Sequence, residues 1–573
     1  MSGYENYSVS NLLVMAGLIV GMLVVFVCYM QYERRKQRKR LMARIRSEWG
    51  QELQREYDAA EYDAISHYYL NRETDAFQVD DITWNDLDLD RVFRMLNHTR
   101  SFLGESYLYY QLRTPELHPE KLAGFERLVS YFQEHTKERE EIEFFFAKIG
   151  KTGRQSIFDY IYNLASVHAG SNLVHFSMCA FLAASVGMLF VVPQAGVLLV
   201  LAASGLSMAT YEHYKRPIAP YVTSCAALER LLSQAENMLK LDSPLIQERK
   251  ERLKKLIRVF QRLRRNMTFL LLGDQVGGGI EQLLISYINN LLHIDLILFP
   301  TVVKDISAHM REFEELTEEL GKLESAIAVA SFRELYPNHT LPELRKEGAL
   351  SFRADGLYHP LISDPVANSI DTEQSVLLTG ANASGKSSFL KTVALAAILA
   401  QTIHTVPAKR YEARYFRVYS SMALRDDLAA EESYYMVEIR SLKRILDRMD
   451  GGEPILCLVD EVLRGTNTIE RVAASSQILK RIARANLLCF AATHDLELTY
   501  LLEGIYRNCH FEEEVTEEEI RFDYLLKEGR ATTRNAIRLL ALMGFEKEII
   551  DSAQKLAEEL AESNASQQSL RMR

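Results

Sequence analysis

The stretch Ser375–Lys391, SVLLTGANASGKSSFLK, constrains the fold more than any other part of the chain. Val376-Leu377-Leu378 predicts a short buried strand. Residues 380–387 then match G-x-x-x-x-G-K-[ST] at every fixed position, and a helix pattern runs from Ser388 to about Gln401. Strand, glycine-bearing loop and helix in this order are the context in which the motif binds a nucleoside triphosphate. The stretch therefore predicts a P-loop domain of the α/β class.

The residue types in this loop suit phosphate binding. Gly380 and Gly385 allow backbone N–H groups to turn inward around a triphosphate. Lys386 can reach the β- and γ-phosphates, the Ser387 hydroxyl can bind Mg²⁺, and the helix N-terminus adds a partial positive charge. The predicted ATP-binding residues of the loop are Gly380, Asn382, Gly385, Lys386, Ser387 and Ser388.

Two more apolar stretches end in residues that act on phosphates. Pro454–Glu461, PILCLVDE, ends in two carboxylates; we expect Asp460 to hold Mg²⁺ and Glu461 to activate the attacking water. Leu487–Thr493 is followed by His494, whose imidazole could contact the γ-phosphate. The carboxyl ends of parallel strands lie along one edge of a sheet. The sequence therefore predicts ATP and Mg²⁺ as cofactors, with Glu461 and His494 as catalytic residues and Ser387 and Asp460 as metal ligands.

The segment from about residue 350 to 555 resembles the ATPase domain of the MutS family. The matching residues follow the family's order: His359-Pro360, Asn368, TGANASGKSS, Asp426–Ala429, Ser433–Glu438, DEVLRGTNT (Asp460–Thr468), ATHDLELT (Ala492–Thr499) and FDYLLKEGRATTRNAI (Phe522–Ile537). The resemblance implies an ABC-type P-loop ATPase whose two sites are completed across a homodimer. In that arrangement Ser433 approaches the partner subunit's bound γ-phosphate, and the loop Arg464–Thr468 lies across the dimer seam.

One position departs from the family pattern. The family usually has glycine two residues before the serine, whereas this chain has Glu431, followed by Glu432. A carboxylate facing a phosphate repels it. We therefore expect either a displaced loop or a weaker contact between Ser433 and the partner's nucleotide.

Two apolar regions predict membrane spans. Leu12–Met30 carries no charge and is followed by a basic cluster at Arg34–Arg40; a membrane helix needs about 20 apolar residues. Asn172–Val192 and Val197–Thr210 are two further apolar helix patterns joined by Pro193–Gly196. The alternative for each apolar region is a buried helix of a globular core. The basic cluster either binds anionic lipid headgroups or only fixes the orientation of the span in the membrane.

The positions of the basic residues predict the topology. Lys151 and Arg154 precede the second apolar region, and Lys215 and Arg216 follow it. Because basic residues mark the cytoplasmic side, we expect about three transmembrane helices, with Gln194 and the N-terminus outside. The chain is then a multi-pass plasma-membrane protein with a cytoplasmic ATPase domain.

The remaining sequence predicts mainly helices. Thr83–Pro115 resembles the start of the MutS helical core through Leu96–Thr99 and Gly104, with His98 as a structural core residue. Leu283–Phe299 is apolar but contains Asn289, Asn290, His293 and Asp295, which are costly in lipid, so we expect a buried core helix there.

Nucleic-acid binding would have to come from a local patch, because the net charge is −10. Glu248–Asn266 contains nine basic and two acidic residues beside an apolar stripe. It predicts non-specific DNA binding through Arg258, Arg262 and Arg265, with lipid phosphate or a merely solvated face as alternatives. The six cysteines form no C-x-x-C pair, which is typical of a reducing compartment and of a chain without a cysteine metal site.

These patterns predict seven segments. They are 1–33, an N-terminal transmembrane anchor; 34–80, a basic helical connector; 81–170, a helical MutS-like core; 171–212, a transmembrane hairpin; 213–345, a helical lever region; 346–562, a MutS-like ABC ATPase domain; and 563–573, a disordered tail. The mismatch-recognition domain of the family, with its Phe-Tyr-Glu wedge, has no counterpart in the printed sequence.

The expected function is that of a membrane-anchored MutS-family ATPase that hydrolyses ATP as a dimer and thereby moves its lever helices. One alternative is a membrane-tethered DNA repair or recombination factor, and another is a non-catalytic membrane scaffold. The expected partners are ATP, a second copy of the chain, membrane lipid, non-specific DNA and an unidentified membrane protein.

Overall fold

The computed structural model describes the backbone of residues 2–53, 55–166, 171–271, 280–381, 383–422, 434–463, 466–483, 486–515, 520–531, 537, 540 and 543–557. Side chains are described over the same ranges except at 2–16, 19, 23, 165–166, 280–284, 434, 450, 514–515 and 520. The chain packs into two compact units, which do not follow the predicted segments. Unit 1, the helical unit, comprises Met1–Arg72, Asn97–Leu108 and Leu128–Leu335; unit 2, the α/β unit, comprises Glu73–Leu96, Tyr109–Arg127 and Tyr336–Arg573.

Helices occupy most of the first 335 residues. They are α1 (Ser2–Glu48), α2 (Ala59–Asn71), α3 (Asp81–Asp86), α4 (Leu89–Leu96), α5 (Phe102–Arg113), α6 (Pro119–Glu134), α7 (Thr136–Ile149), α8 (Ile157–Tyr162), α9 (Leu173–Val191), α10 (Pro193–Met238), α11 (Pro244–Val259), α12 (Gln261–Leu270), α13 (Ile280–Leu292), α14 (Ile294–Ala308) and α15 (Met310–Leu335).

The core of the helical unit depends on a close approach of α5 and α15. A Cβ at Gly104 would lie 2.2 Å from the carboxylate of Glu324, and one at Gly321 would lie 2.4 Å from the ring of Tyr107. Only glycine therefore fits at either position. His98 is buried in the same unit, as expected for a structural residue.

The two apolar helices α9 and α10 are separated by a single residue, Val192. The predicted turn at Pro193–Gly196 is therefore wrong: these residues form the first turn of α10, where proline is favoured because its missing N–H would be unpaired anyway. A Cβ at Gly196 would lie 2.6 Å from the Leu189 backbone, so glycine permits the tight turn. In the part of the chain that the structure describes, α9 and the start of α10 are long and apolar enough to cross a membrane. The span predicted at Leu12–Met30 lies on α1, part of whose side chains fall outside the described set, and it stays a prediction.

The prediction of one buried helix at Leu283–Phe299 is wrong. His293 adopts a left-handed conformation with φ of 53° and separates α13 from α14. The described side chains of α14 at Leu296 and Phe299 are buried, whereas Tyr287 and Ile288 of α13 are exposed. The residue that sequence reasoning treated as a polar interruption is instead the corner of a helical hairpin.

The α/β unit contains two sheets among the described residues. Their strands are β1 (Glu343–Arg345), β2 (Phe352–Leu357), β3 (Asn368–Thr372), β4 (Val376–Thr379), β5 (Arg410–Arg414), β6 (Arg417–Ser421), β7 (Ile455–Asp460), β8 (Leu487–Ala492), β9 (Arg507–Val515) and β10 (Ile520–Glu528). The helices between them are α16 (Lys386–Thr402), α17 (Tyr434–Arg448), α18 (Thr468–Ile482) and α19 (Leu496–Leu501), and residues 547–557 are also helical.

The larger sheet has the strand order β10-β9-β4-β8-β7-β6, and the smaller one β1-β5-β2-β3. In the larger sheet β4, β8 and β7 are parallel neighbours. The three strands predicted from the apolar runs and the helix after the P-loop are therefore confirmed. This arrangement brings the carboxyl ends of β4, β7 and β8 to one edge.

Candidate nucleotide-binding site

The P-loop runs from the end of β4 to the first residue of α16. Gly380 has φ of 144° and Gly385 has φ of 105°, both in the region that favours glycine. A Cβ at Gly380 would lie 2.7 Å from the carbonyl oxygen of Phe511 on β9. Ala383 also has a positive φ, 66°, although it is not glycine. The loop is thus held in a strained shape, as is common where backbone groups must face a ligand.

Lys386 is buried, and its ammonium group lies within the loop. Its Nζ donates to the carbonyl oxygens of Gly380, at 2.8 Å, and Ala381, at 2.7 Å. Ser387 and Ser388 are exposed at the start of α16. The predicted site residue Asn382 lies outside the described residues.

A cavity of about 610 Å³ opens beside this loop. It brings together four of the predicted site residues from the loop and its helix with two that follow other strands. Its lining includes Gly385, Lys386, Ser387, Ser388, Glu461 and His494. Residues from β7 and β8 thus meet the P-loop as their position at one sheet edge predicts.

Glu461 and His494 contact each other in this cavity. Their Oε1 and Nε2 atoms are 2.8 Å apart. The Glu461 backbone is left-handed, with φ of 57°, and its N–H donates to the carbonyl of Ala492 at 3.0 Å. The carboxylate is thus oriented both by its own backbone and by the imidazole that follows β8.

Asp460 is the last residue of β7 and is not among the residues that line the cavity. It is 7% exposed, and its Oδ1 atom is buried without a hydrogen-bond partner among the described residues. A buried carboxylate oxygen without a donor is expensive unless a cation binds it. The buried Asp460 oxygen and the exposed Ser387 hydroxyl are hard oxygen donors of the kind that Mg²⁺ prefers, so these residues fit the ion.

No group of three or more His, Cys, Asp or Glu side chains suited to hold a metal is found among the described residues. Ser387 and Asp460 would supply two protein ligands, as in the usual Mg²⁺ site, in which substrate phosphates and waters complete the coordination.

The loop after Glu461 is tied to α17. Leu463 is left-handed, with φ of 62°, and its N–H donates to the carboxylate of Glu438. Glu438 lies one turn beyond the start of α17. The predicted trans residue Ser433, Glu431 and the first two residues of the Arg464–Thr468 loop lie outside the described residues, so the trans contact stays a prediction.

Sequence reasoning assigned no role to the rest of the cavity lining. This lining includes the aromatic and apolar side chains Tyr358, His359, Ile362, Val366 and Tyr524, together with the polar side chains Ser363, Asp364 and Asn368. Burial lowers the pKa of His359 to about 4, so its ring is neutral at physiological pH. The sequence signal for these residues was the His359-Pro360 pair and the run FDYLL, both of which match the MutS family.

Asn368 explains how Tyr524 reaches the cavity. Its Nδ2 donates to the Tyr524 carbonyl at 3.0 Å, and its Oδ1 accepts from the Leu526 N–H at 2.7 Å. The strand pairing of β10 is irregular between Phe522 and Leu526, and Tyr524 has φ of 53°. A Cβ at Gly385 would lie 3.2 Å from the Tyr524 ring, so the ring lies over the P-loop.

The α3–α4 segment contacts the α/β unit to which it belongs. Asp86 Oδ2 accepts from the Ser420 hydroxyl at 2.6 Å and from the Met422 N–H at 3.0 Å. Burial raises the pKa of Asp86 above its ordinary value. Met422 is the last described residue before the segment that carries Ser433, so Asp86 holds the point from which that segment departs.

Comparison with known proteins supports the MutS family. Residues 376–561 match the family model described as MutS domain V. A protein named DNA mismatch repair protein MutS from Natronomonas pharaonis is 30% identical over 269 residues, which are 45% of this chain and 31% of the relative.

Two further relatives carry the same name. The one from Methanosarcina acetivorans is 28% identical over 299 residues, 50% of this chain and 33% of the relative. The one from Aquifex pyrophilus is 33% identical over 224 residues, 37% of this chain and 26% of the relative. The match covers about a third of the length of these relatives or less.

Proposed function

We propose that this chain is a MutS-type ATPase that binds and hydrolyses ATP in the cavity beside its P-loop. The observation that carries the proposal is the meeting of Lys386, Glu461 and His494 on one cavity, from three separate strand ends. Phosphoryl transfer from ATP to water requires a cation that binds the phosphates and a carboxylate that activates the water. The imidazole of His494 would orient that carboxylate.

Each part has one task. Lys386 leaves its loop carbonyls and neutralises the β- and γ-phosphates. The Ser387 hydroxyl and Asp460 would hold Mg²⁺, which when bound would neutralise charge on the phosphate oxygens. Glu461 accepts the proton of the attacking water. His494 holds Glu461 in position through the contact between Nε2 and the carboxylate.

The aromatic side chains of the cavity would bind the nucleoside part of ATP. A neutral His359 ring and the Tyr524 ring are suited to stack on a purine base, and Ile362 and Val366 extend the apolar surface. Aromatic and aliphatic walls with few polar groups are typical of such pockets.

We further propose that the chain is anchored in the membrane and acts as a homodimer. The support for the anchor is the exposure of α9, which carries no charge and is only 11% buried over its apolar window. The support for the dimer is the similarity to MutS proteins, from which Ser433 would complete the partner's site. ATP binding would then move the helical unit and, with it, the α9–α10 hairpin.

ATP turnover of purified protein tests the catalytic proposal. Glu461→Gln should keep ATP binding and lose about 10²- to 10⁴-fold in kcat, because the carboxylate acts on water. Lys386→Ala should lose binding itself. Wild-type turnover in the Glu461→Gln variant would overturn the assignment of the base.

Cysteine labelling of intact cells tests the membrane proposal. After Cys28 and Cys179 are changed to Ser, an introduced Gln194→Cys should react from outside, since Gln194 lies at the tip of the hairpin. Reaction only after lysis would overturn the proposed topology.

A second candidate function is DNA binding. Lys255, Arg258, Arg262 and Arg265 lie at exposed positions one turn apart on α11 and α12, and none forms an ion pair in the described part of the chain. Four cations on one face favour a polyphosphate backbone, which they would bind without reading its sequence.

A further inference from the structure

The α13–α14 corner is inserted against the base of the α9–α10 hairpin. The Leu291 carbonyl accepts from the Ser207 hydroxyl at 2.9 Å, and the Leu292 carbonyl accepts from Cys179 Sγ at 3.2 Å. His293, the corner residue, lies 3.0 Å from the Ser207 hydroxyl through Nε2. The corner therefore contacts both helices of the hairpin.

The inner face of this corner is polar. Nδ1 of His293 lies 2.9 Å from Nδ1 of His175 on α9, and the two rings share a hydrogen bond. Asp295 accepts from the Tyr211 hydroxyl at 2.8 Å and forms an ion pair with Lys215. His293 and Asp295 are fully buried. The polar groups of α13 and α14 thus pair with polar groups of the hairpin.

The outer face of α13 is apolar. Tyr287 and Ile288 are each 48% exposed, and Leu292 is 39% exposed. At 3.6 residues per turn these three positions fall within about 140° of the helix circumference, and the buried Asn289 lies outside this sector. A helix in water has the reverse pattern, with polar residues outside and apolar residues inside. Contiguous exposed apolar residues mark a surface that another apolar phase covers.

The position of the corner along the α9–α10 hairpin indicates which apolar phase covers this face. Glu212 is the first charged residue of α10, and Ser207 precedes it by five positions. At 1.5 Å per residue, Ser207 lies about 7 Å on the apolar side of Glu212. The corner is bonded to Ser207, so it lies at the same depth. The exposed face of α13 is therefore continuous with the exposed apolar surface of α9 and α10.

We propose that the α13–α14 corner is a second membrane-embedded element, which enters the cytoplasmic leaflet and presents Tyr287, Ile288 and Leu292 to lipid acyl chains. Tyr287 lies nearest the polar headgroups, where tyrosine is favoured. The inference rests on the proposed insertion of the α9–α10 hairpin. Because α14 leads directly into α15 and so to residue 336, where the α/β unit resumes, the corner connects the bilayer to the ATPase independently of α10.

Depth-dependent quenching in the full-length protein tests the proposal. The protein, with Cys28 and Cys179 changed to Ser, is reconstituted into phosphatidylcholine–phosphatidylglycerol vesicles and labelled with an environment-sensitive fluorophore at Ile288→Cys or Leu292→Cys. Both positions are exposed, so the substitutions remove no core contact. Controls are Phe190→Cys, 88% exposed near the hairpin tip, and Lys255→Cys on α11.

The expected result is loss of fluorescence at 288 and 292 with spin-labelled acyl chains and not with aqueous iodide, and the reverse at 255. Quenching of 288 and 292 by iodide, with lipid quenching at 190, would overturn the inference while the hairpin proposal stands. Iodide quenching at 190 as well would overturn the membrane proposal itself. Protection of 288 and 292 from both quenchers would show that a protein covers this face, and would also overturn the inference.

Discussion

Lys391, in the second turn of the helix after the P-loop, forms an ion pair with Asp88, with Nζ and Oδ2 2.9 Å apart. Asp88 lies in the turn between α3 and α4, and its backbone is left-handed with φ of 51°. The same turn region contains Asp86, which holds the end of β6. A short segment from the first hundred residues thus contacts both the helix after the P-loop and the strand that leads toward Ser433.

Removing this ion pair should weaken the docking of α3–α4 without affecting nucleotide contacts. Both side chains are about a quarter to a third exposed, so we expect at most about 1 kcal/mol of coupling. That corresponds to a fall of no more than about 4 °C in the Tm of the α/β unit. Asp88→Asn is the suitable change, because asparagine tolerates the left-handed conformation. A double-mutant cycle with Lys391→Met, read by calorimetry, measures the coupling; an altered Kd for ATP in either variant would contradict the expectation.

Replacing His494 should lower kcat more than it changes KM for ATP. The imidazole orients Glu461 through the 2.8 Å contact, so its loss misplaces the base and leaves the phosphate loop intact. We expect about a tenfold lower kcat for His494→Ala, equivalent to about 1.4 kcal/mol. His494→Gln keeps an N–H donor and should recover part of the loss. Equal kcat in the alanine and glutamine variants would show that the contact has no catalytic role.

The Glu324 contribution to the stability of the helical unit should fall as the pH rises, while His98 of the same unit, whose pKa burial lowers to about 4, contributes in the opposite direction. Burial raises the pKa of Glu324 to about 7 from its ordinary 4.5, despite hydrogen bonds from Ser101 and the Arg100 N–H. The folded state therefore holds a proton that the unfolded state releases, and the stabilisation is complete below 4.5 and is lost as the pH rises through about 7. The shift corresponds to about 3 kcal/mol in the free energy of unfolding. Thermal unfolding at several pH values measures the slope.

Glu324→Gln is the control for this titration. Its amide has no charge to lose, so the fall in stability that Glu324 contributes between pH 4.5 and about 7 should be absent from the variant. If the free energy of unfolding had the same slope against pH in the variant as in the wild type, the effect would belong to another group.

Gly104→Ala should destabilise the helical unit. The new Cβ would lie 2.2 Å from the Glu324 carboxylate, and overpacking of this kind costs about 1–3 kcal/mol. Gly124→Ala, in the part of α6 that belongs to the α/β unit, is the control for a helical glycine with room, because its Cβ would meet only a distal Arg127 atom at 3.9 Å. Alanine favours a helix over glycine, so the control should be neutral or stabilising. Comparable Tm losses in both variants would contradict the steric explanation.

DNA binding, if it occurs through α11 and α12, should be insensitive to base pairing. Changing Arg258, Arg262 and Arg265 to Glu should abolish it, because phosphate contacts supply non-specific affinity. Competition between fully paired and G·T-mismatched duplexes in physiological salt measures the preference. A roughly tenfold preference for the mismatch, about 1.4 kcal/mol, would show a base-reading element and favour the repair function.

Local sequence predicted the strands and the helix around the candidate site well. The P-loop, the strands ending at Asp460 and Ala492, and α16 lie where their patterns indicated. A buried parallel strand must be apolar along its length, and a tight phosphate loop must have glycine at fixed positions, so both leave a signal within a dozen residues.

The tertiary structure alone decided the contacts between distant residues. The pairing of Lys391 with Asp88, the position of Tyr524 over Gly385 through Asn368, and the enclosure of Glu324 at Gly104 join segments more than 130 residues apart. Likewise, the corner at His293 is favoured by partners on α9 and α10 and not by its neighbours in sequence. Apolar periodicity specifies which face of a helix is buried, but the free energy that selects its neighbour comes from packing and hydrogen bonds formed only when the chain has folded.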